Sequence, residues 1–508
     1  MNQTILGGYE PAAVLHFFEE ICAIPHVSGE ERALADYVEQ FARARGLACY
    51  RDRVHNVFIR LPATQGHESA PAVMLQGHLD MVGEKDDGST HNFATDGLAL
   101  RVVEEDGEPW ITATGTTLGG DDGIAVAMML AVLDTPPEPH PAVECLFTVS
   151  EETGLEGAWA FDPVAAKASA DVMINLDSED EGVLTAGCSG GMRTDITIPV
   201  SCEPAVGVPV TVTLSGFSGG HSGVQIHEGH TNAIKALGRL LRAVQTGRLA
   251  SIRGGGKDNA IPRDAAATLL VPPEAAEAVC RAITAEAEAW RTEANTIAAD
   301  RNFTCTTTIS NGKDAPAFMF TAASHAAVVA AVNLVHDGVL SMNAHVKGLV
   351  ACSRNLGIIA TQCDASGAPA SVRLSHSTRS AVASHLNNAE RELNELANVL
   401  SAVAGAAVTA THRARYPGWD YAPISHLRDL WMAVSERLYG LTPRVEVIHA
   451  GLECGILCDK LKAALGTAPD IISVGPAMRD IHTPREMISI PSIERTHRLL
   501  LSVLTELA

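Results

Sequence analysis

Short clusters of histidine and carboxylate residues along the chain have side-chain types that bind divalent metal ions. His78 and Asp80 form a His-x-Asp tripeptide. Residues i and i+2 at a strand end point to the same side, so Asp80 can hold one ring nitrogen of His78 while the other binds a metal. An isolated tripeptide of this kind is more often a turn with a satisfied histidine. It becomes informative only together with the other clusters.

Two further clusters place carboxylates next to turns. Residues 116–123 combine glycines, which allow a tight turn, with Asp121 and Asp122 before a predicted helix, where one aspartate can simply cap the helix. Glu151 and Glu152 follow an apolar strand, and a solvated charge pair is the alternative interpretation. Because successive side chains on an extended chain face opposite ways, one glutamate can bind metal while the other acts as general base on a water molecule.

Asp177 and His482 complete a possible ligand set, since each comes after a predicted strand. A pair of ions such as zinc needs a few imidazole and carboxylate ligands, with one carboxylate able to bridge the two ions. Three anionic ligands would leave net positive charge to polarise a carbonyl group. The full candidate set is His78, Asp121, Glu152, Asp177 and His482. The sequence therefore predicts a two-metal hydrolytic site.

The elements that must position these clusters alternate between strands and helices. Strands are predicted at 72–76, 145–149 and 172–176, with a helix at 123–133 between the first two. This alternation is typical of an α/β sheet covered on both faces, in which ligands collect at the carboxyl ends of the strands. We therefore expect the clusters to converge. Earlier in the chain, Ser28 and Glu31 predict a capping box that opens a helix through about Arg45.

A different pattern begins at about residue 199 and indicates an inserted domain of two β-α-β layers. Its predicted strands are 208–214, 265–271, 304–309, 350–361 and 371–374, and its predicted helices are 231–244, 322–335 and 380–402. The earlier alternation returns after about residue 416, with a strand at 470–474. The catalytic unit is thus predicted to be discontinuous.

Taken together, these motifs resemble the M20 metallopeptidases, and within them the PepD-type cytosolic aminoacyl-histidine (Xaa-His) dipeptidases. The resemblance spans nearly the whole chain. Its landmarks are Gln76-Gly-His-Leu-Asp80, Gly115-Thr-Thr-Leu-Gly-Gly-Asp-Asp-Gly123, Glu151-Glu-Thr-Gly154, Asn175-Leu-Asp-Ser-Glu179, Gly219-Gly-His-Ser-Gly223, Asn259-Ala-Ile-Pro262, Tyr416-Pro-Gly-Trp419, His449-Ala-Gly-Leu-Glu-Cys-Gly455 and His482-Thr-Pro484.

The resemblance implies an α/β fold: a zinc-peptidase catalytic domain with a mixed sheet flanked by helices, plus an inserted α+β lid and dimerisation domain. The implied boundaries are 1–196 and 417–508 for the catalytic domain and 197–416 for the insert. The family pattern implies two Zn²⁺ ions per subunit, with Mn²⁺ or Co²⁺ as possible substitutes, and a homodimer formed through the insert.

The same resemblance assigns roles to the candidate residues. Asp121 would bridge the ions, one completed by His78 and Asp177, the other by Glu152 and His482. Asp80 would orient His78, and Glu151 would be the general base.

Substrate contacts are predicted at four further residues. His221, in a Gly-rich turn, would stabilise the oxyanion once the domains close or a dimer partner supplies it, although a flexible surface loop is the simpler interpretation of this turn. Asn259 would hold the substrate backbone. Arg379 would bind the substrate carboxylate, with a solvated residue at the start of a helix as the alternative. Glu453 would bind the free amino group, with a buried ion pair as the alternative.

Composition excludes several function classes. With 37 Lys+Arg against 60 Asp+Glu among 508 residues, the net charge is −23, which argues against nucleic acid or an anionic membrane as partner. No apolar run approaches the ~18 residues of a membrane span. The acidic N-terminal segment does not resemble a signal peptide, and the 11 cysteines include no Cys-x-x-Cys pair. We therefore expect a cytoplasmic location.

The leading hypothesis is a metallo-dipeptidase that cleaves unblocked dipeptides, of the Xaa-His type or more broadly. An N-acyl amino acid deacylase or carboxypeptidase of the same fold is the first alternative, and it would need an apolar acyl pocket in place of an acidic partner for the ammonium group. A catalytically inactive dimeric scaffold is the second. Such proteins usually lose ligands or the base, whereas this sequence keeps all of them.

Overall fold

A computed structural model describes residues 4–297, 300, 302–310, 315–344 and 346–508. The chain forms two compact units. The first comprises the chain up to Cys188, together with Trp419–Val447 and Leu452–Ala508, and the second comprises Ser189–Gly418 and Ile448–Gly451. None of the helices in the described ranges combines the length and apolar character needed to cross a bilayer.

The first unit is built on an eight-stranded mixed sheet. In spatial order its strands are Ala48–Arg51, Val57–Leu61, Val143–Thr148, Val73–His78, Val172–Asn175, Asp470–Ser473, Val183–Cys188 and Arg444–Ile448. The four central strands, from Val143–Thr148 to Asp470–Ser473, run parallel, and Val57–Leu61 and Val183–Cys188 join them antiparallel. Every residue of Val73–His78 is buried, as expected for a central parallel strand covered on both faces.

Helices and a small second sheet complete the first unit. The helices are Ala12–Cys22, Arg32–Ala44, Gly120–Asp134, Glu156–Ala160, Pro163–Ala166, His426–Tyr439, Glu453–Leu465 and Ile490–Glu506. The small sheet has the order Met478–Arg479, Met487–Ser489, Glu108–Ala113 and Leu100–Glu105. The helix Gly120–Asp134 is buried from Gly120 through Leu133. From Gly123 to Leu133 it is apolar on all sides and therefore lies inside the core.

The second unit contains a nine-stranded antiparallel sheet. Along the main path its strands are Thr304–Ile309, Val208–Ser215, Ala265–Val271, Arg248–Gly254, Val350–Cys363, Pro369–Ser380, Gly190–Pro199 and Thr409–Tyr416, and Gly338–Met342 pairs with Val350–Cys363. Two short ribbons pair Cys202–Pro204 with Phe318–Phe320 and Gly220–His221 with Ala260–Ile261. From Val210 to Ser215, buried and half-buried positions alternate, which is the period of a sheet with one face on a core.

Four long helices cover the buried face of this sheet. They are Ala233–Ala243, Ala276–Ile297, Ala322–Leu334 and Ala383–Ala404, and a 3₁₀ turn, Pro273–Ala275, precedes the second. Their buried apolar residues and the inward residues of the strands form one core, which includes Val210 and Val212 of the sheet and Leu237 and Leu241 of the first helix.

The structure departs from the predicted boundary at residue 196 for a topological reason. Strand Gly190–Pro199 pairs with Pro369–Ser380 and with Thr409–Tyr416, so the second unit begins before this strand, at Ser189. A return of the chain to the second unit at Ile448–Gly451 was not predicted. The amide of Ser189 donates to the carbonyl oxygens of Ile448 and Ala450 at 3.1 and 3.0 Å.

Arg379 does not open a helix, contrary to the sequence-based alternative. The predicted strand 371–374 extends over Pro369–Ser380, where Arg379 pairs with Ser353 on one side and with Gly191 on the other. The helix begins only at Ala383. Pairing with two neighbouring strands keeps this stretch extended, and such pairing is not visible in a local pattern.

Candidate metal centre and active site

The predicted convergence of the polar clusters is observed at the carboxyl ends of the central parallel strands of the first unit. His78 is the last residue of its strand, and Asp177 follows Val172–Asn175 by two residues. Glu151 and Glu152 come shortly after Val143–Thr148. Parallel strands end at the same edge of a sheet, which explains why residues so distant in sequence meet there.

Asp121 lies at the centre of this group. Its Oδ1 is 3.1 Å from Nε2 of His78, and its Oδ2 is 3.1 Å from Nε2 of His482. Asp177 Oδ1 lies 3.7 Å from the same nitrogen of His78, and Glu152 Oε1 lies 2.8 Å from Nε2 of His482. One carboxylate thus faces two imidazoles, each of which has a second carboxylate beside it.

Three sets of possible ligand atoms lie within 4.8 Å of one another. They are His78 with Asp121 and Asp177, Asp121 with Glu152 and His482, and His78 with Glu151 and Glu152. The first two sets share Asp121 and together contain the five candidate ligands predicted from the sequence. Imidazole and carboxylate donors around a shared carboxylate suit a pair of zinc-like ions.

The electrostatics of this group favour bound cations. Burial raises the pKa of Glu151 to about 9 and that of Asp177 to about 7, with neighbouring carboxylates adding to both shifts. Hydrogen bonds to Asp121 and Glu152 raise the pKa of His482 to about 10. The site therefore disfavours further negative charge and stabilises positive charge, and divalent cations would supply such charge.

Asp80 touches His78 but mainly fixes the turn that carries the two glutamates. Nδ1 of His78 lies 2.9 Å from the main-chain oxygen of Asp80 and 3.4 Å from its Oδ1. The carboxylate of Asp80 accepts the backbone N–H groups of Glu151 and Glu152 at 3.0 and 3.2 Å, and the hydroxyl of Ser28 at 2.8 Å. Its orienting contact with His78 is thus chiefly through the backbone.

The prediction of a capping box at Ser28 and Glu31 is wrong, although the helix that it was predicted to open is present at Arg32–Ala44. Ser28 donates to Asp80, and no side chain caps this helix. Oε1 of Glu31 instead accepts the amide of Gly29 at 2.9 Å and both the amide and the hydroxyl of Ser150 at 3.0 and 3.1 Å. Contacts with Asp80 and Ser150 take the place of the predicted helix cap. Ser28 and Glu31 therefore support the turn that carries Glu151 and Glu152.

Glu453 is fully buried at the start of helix Glu453–Leu465. Its Oε2 accepts hydrogen bonds from Gln76 Nε2 and Thr148 Oγ1, both at 2.6 Å. These partners are neutral, so they do not form the ion pair considered as the alternative. Burial raises the pKa of Glu453 to about 7, and its Oε1 has no hydrogen-bond partner among the described residues.

The second unit brings His221 and Arg379 together around Gly223. A Cβ atom at Gly223 would lie 3.1 Å from Cε1 of His221 and 3.3 Å from Nε of Arg379. Arg379 is 8% exposed and donates from Nη1 to the hydroxyl of Tyr416 at 3.4 Å. Asn259 is exposed, and its carbonyl oxygen accepts the amide of Ser222, next to His221.

The hydrogen bonds of His221 define its tautomer. Nδ1 accepts the backbone amides of Gly223 and Val224 at 3.3 and 3.2 Å. Because that nitrogen is an acceptor, the ring proton lies on Nε2. Burial and the nearby Arg379 lower the pKa of His221, so the ring is a neutral donor.

Sequence reasoning missed several residues that surround these groups. His449 Nε2 and the hydroxyl of Ser353 are 2.7 Å apart in the second unit, and burial lowers the pKa of His449 to about 3. In the first unit, Asp122 Oδ2 accepts the amide of His78 at 3.0 Å, and Glu486 accepts backbone amides from the loop before Asp121. His449 and Asp122 lie in motifs on which the family resemblance rests, but the sequence showed no sign of these contacts. Nothing in the sequence singles out Ser353 or Glu486.

The fold and the donor set define a hydrolase of the metallopeptidase class. The model of peptidase family M20/M25/M40 matches residues 74–506, which is more than half of the chain. The chain therefore belongs to this family, whose members are metallopeptidases, and it is a peptide-bond hydrolase.

Relatives and solved structures agree with this assignment. A cytosol non-specific dipeptidase of Escherichia coli K12 is 34% identical over 508 residues, covering 99% of each chain. The aminoacylhistidine dipeptidase of Vibrio alginolyticus has a TM-score of 0.89 at 33% identity, covering 99% of this chain and 98% of that one. The aminopeptidase PepT of Bacillus cereus has a TM-score of 0.56 at 14% identity, covering 99% and 100% of the two chains, a likeness in fold alone.

Proposed function

We propose that this protein is a metal-dependent dipeptidase that hydrolyses the peptide bond of unblocked dipeptides. One observation carries the proposal. The carboxylate of Asp121 faces His78 with one oxygen and His482 with the other, each at 3.1 Å, which is the arrangement of a bridging ligand in a two-metal hydrolase.

The ligands divide into two sets around that carboxylate. His78, Asp121 and Asp177 would hold one ion, and Asp121, Glu152 and His482 the other. The ions would be two Zn²⁺, with Mn²⁺ or Co²⁺ as substitutes. When bound, they would polarise the scissile carbonyl, acidify the attacking water and lower the pKa of the surrounding carboxyl groups.

Glu151 is the group best suited to move the proton. Its backbone amide is fixed by Asp80 at 3.0 Å, and its carboxylate forms no hydrogen bond within the described ranges. A carboxylate that is held in place but unpaired can accept the proton of the attacking water and pass it to the leaving amine. Glu152, its neighbour in sequence, is hydrogen-bonded to His482 and is a ligand instead.

Three residues of the second unit carry polar groups that could bind a dipeptide substrate. The neutral ring of His221 would donate a hydrogen bond from Nε2–H to the tetrahedral oxyanion and would keep its proton. Arg379 Nε is buried without a hydrogen-bond partner among the described residues, which leaves it available for the C-terminal carboxylate of a dipeptide. Asn259 would hold the substrate backbone.

An acidic partner for the free amino group distinguishes a dipeptidase from a deacylase. Glu453, with its unpartnered Oε1, is the proposed partner. The names of the two full-length relatives, a non-specific and an aminoacylhistidine dipeptidase, support dipeptides as the substrate class. The two names imply different ranges of dipeptide substrate, so a preference for Xaa-His dipeptides is a separate and more specific part of the proposal.

A substrate panel tests the proposal. Metal-reconstituted protein, with a chelator-treated control, is assayed on β-Ala-His, Ala-His, Gly-Leu, a tripeptide and N-acetyl-His. We expect chelator-sensitive cleavage confined to unblocked dipeptides. Cleavage of N-acetyl-His alone would move the protein to the deacylases, and no cleavage of any compound by protein that binds metal would favour the inactive scaffold.

A homodimer formed through the second unit and a cytoplasmic location stay predictions. The name of the Escherichia coli relative supports the location. Sedimentation of the purified protein tests the homodimer, for which a single species of twice the 53.4 kDa chain mass is expected.

A further inference from the structure

One carboxylate, that of Glu486, accepts hydrogen bonds from four successive backbone amides. Its Oε2 accepts from Leu118 and Gly119 at 2.9 and 3.2 Å, and its Oε1 accepts from Gly120 and Asp121 at 2.8 and 3.4 Å. Glu486 is only 2% exposed, so water does not replace these bonds.

The conformation of the loop explains why the amides converge. Gly119 has φ of 65°, in the left-handed region, and a Cβ atom there would lie 2.8 Å from the sulfur of Met81. A left-handed residue next to a right-handed one turns consecutive N–H groups toward a common point, where an anion binds. The loop therefore presents a concave anion site that the carboxylate of Glu486 fills.

Glu486 also joins two segments that carry proposed metal ligands. It lies four residues after His482, and its own amide donates to the carbonyl of Thr483 at 3.0 Å. Its carbonyl oxygen accepts the hydroxyl of Thr112 at 2.7 Å, which ties it to the strand Glu108–Ala113. The amide bonds tie the same residue to Asp121, whose Oδ2 faces His482.

We propose that Glu486 is a positioning residue, whose carboxylate sets the placement of Asp121 relative to His482 and thereby the affinity of the ion held by Asp121, Glu152 and His482. This inference rests on the proposed function, since it presumes a metal at that set of ligands. Glu486 acts through backbone amides, so its role differs from that of a ligand or a base.

The variant Glu486→Gln tests this role. Glutamine has nearly the same shape, but its NH₂ group would face two N–H donors, which cannot pair with it. We expect the affinity for the ion held by Asp121, Glu152 and His482 to fall about 10- to 100-fold, as is usual when a group supporting a ligand is lost. Equilibrium dialysis against buffered Zn²⁺ measures the affinity, and the absorption spectrum of the Co²⁺-substituted protein reports any change in ligand geometry.

Glu144→Gln is the matched control. Glu144 is also 2% exposed, and its two oxygens accept the amide of Ser169 at 3.0 and 3.1 Å. It lies near the start of the strand Val143–Thr148, roughly 13 Å from the far end where the ligands gather. A general loss of stability would affect both variants, whereas only Glu486→Gln is expected to alter metal affinity and the Co²⁺ spectrum.

The outcomes separate this inference from the proposed function. If Glu486→Gln binds both ions as tightly as the wild type with an unchanged spectrum, the positioning role is wrong even when dipeptides are cleaved. If the variant loses affinity while the metal-loaded wild type cleaves no dipeptide, the positioning role stands and the dipeptidase proposal fails. Should Glu486→Gln not fold, Glu486→Asp replaces it, because the shorter arm keeps the charge but cannot reach both pairs of amides.

Discussion

At the scale of single residues, adjacent glutamates in one turn have different surroundings. Glu152 is hydrogen-bonded to His482, while Glu151 keeps its carboxylate unpaired in the described ranges and only its backbone is fixed by Asp80. Burial raises the pKa of Glu151 to about 9. Within this turn, the hydrogen bond to His482 thus distinguishes Glu152, a proposed ligand, from Glu151, the proposed base.

The substitution Glu151→Gln tests this division. The amide keeps the shape of the side chain but cannot accept a proton, so kcat on a cleaved dipeptide should fall by at least about 10²-fold. The content of bound metal should stay that of the wild type, since the five proposed ligands are unchanged. Glu156→Gln, at an exposed position in the same region, is the control. A variant that retains near wild-type kcat would show that Glu151 is not the base.

At the scale of elements, the segment before helix Arg32–Ala44 supports the turn that carries Glu151 and Glu152. Ser150 has φ of 53°, a left-handed conformation that is unfavourable for a residue with a side chain. Oε1 of Glu31 accepts both the amide and the hydroxyl of Ser150, and this pairing stabilises the strained turn. A loop far from Glu151 in sequence therefore supports the turn that carries the proposed base.

Replacing Glu31 should consequently impair catalysis without touching substrate or metal. In Glu31→Leu the buried amide of Ser150 loses its partner, which costs about 1–3 kcal/mol in the free energy of unfolding, and we expect kcat to fall about tenfold or more. Glu31→Gln keeps the accepting oxygen, so it should retain most of the activity. Steady-state kinetics and thermal unfolding of both variants check this, and equal kcat values for Leu and Gln would contradict it.

At the scale of the whole molecule, the two units differ in the charge they bury. The first concentrates carboxyl groups with raised pKa values, about 9 for Glu151 and about 7 for Asp177 and Glu179, all chiefly because of burial. In the described part of the second unit, the carboxyl with a clearly raised pKa is Asp337, at about 6. The first unit alone therefore has reason to depend on bound cations.

Chelation should destabilise the first unit more as the pH rises. A carboxyl whose folded pKa is raised contributes stability below its unfolded pKa of about 4, and that stability is lost as the pH rises through the folded value. Metal-free protein should therefore lose stability in the first unit as the pH rises from about 4 to about 9, through the folded pKa values of Asp177 and Glu151. Bound ions at 100 times their Kd would restore about 2.7 kcal/mol. Calorimetry with and without chelator measures this, and a chelator effect independent of pH would refute it.

The sequence by itself determined the family, the candidate site residues and most of the secondary structure. The five candidate ligands, Glu151 and the central strands follow from residue types placed at the ends of apolar runs, because such runs are buried and their polar ends meet at one edge of a sheet. The family assignment drawn from the same motifs is confirmed by the family match and the full-length relatives. Local physics suffices for these features, since each depends on a few neighbouring residues.

Only the tertiary structure decided which polar groups meet. Ser28 and Glu31 form a good local cap in sequence, yet they bind Asp80 and Ser150, because a buried partner far along the chain competes with the nearby one. Arg379 lies in a strand since two neighbouring strands pair with it. Glu486 accepts the amides of a loop 365 to 368 residues away. Backbone amides have no sequence signature, so contacts to them become visible only once the chain has folded.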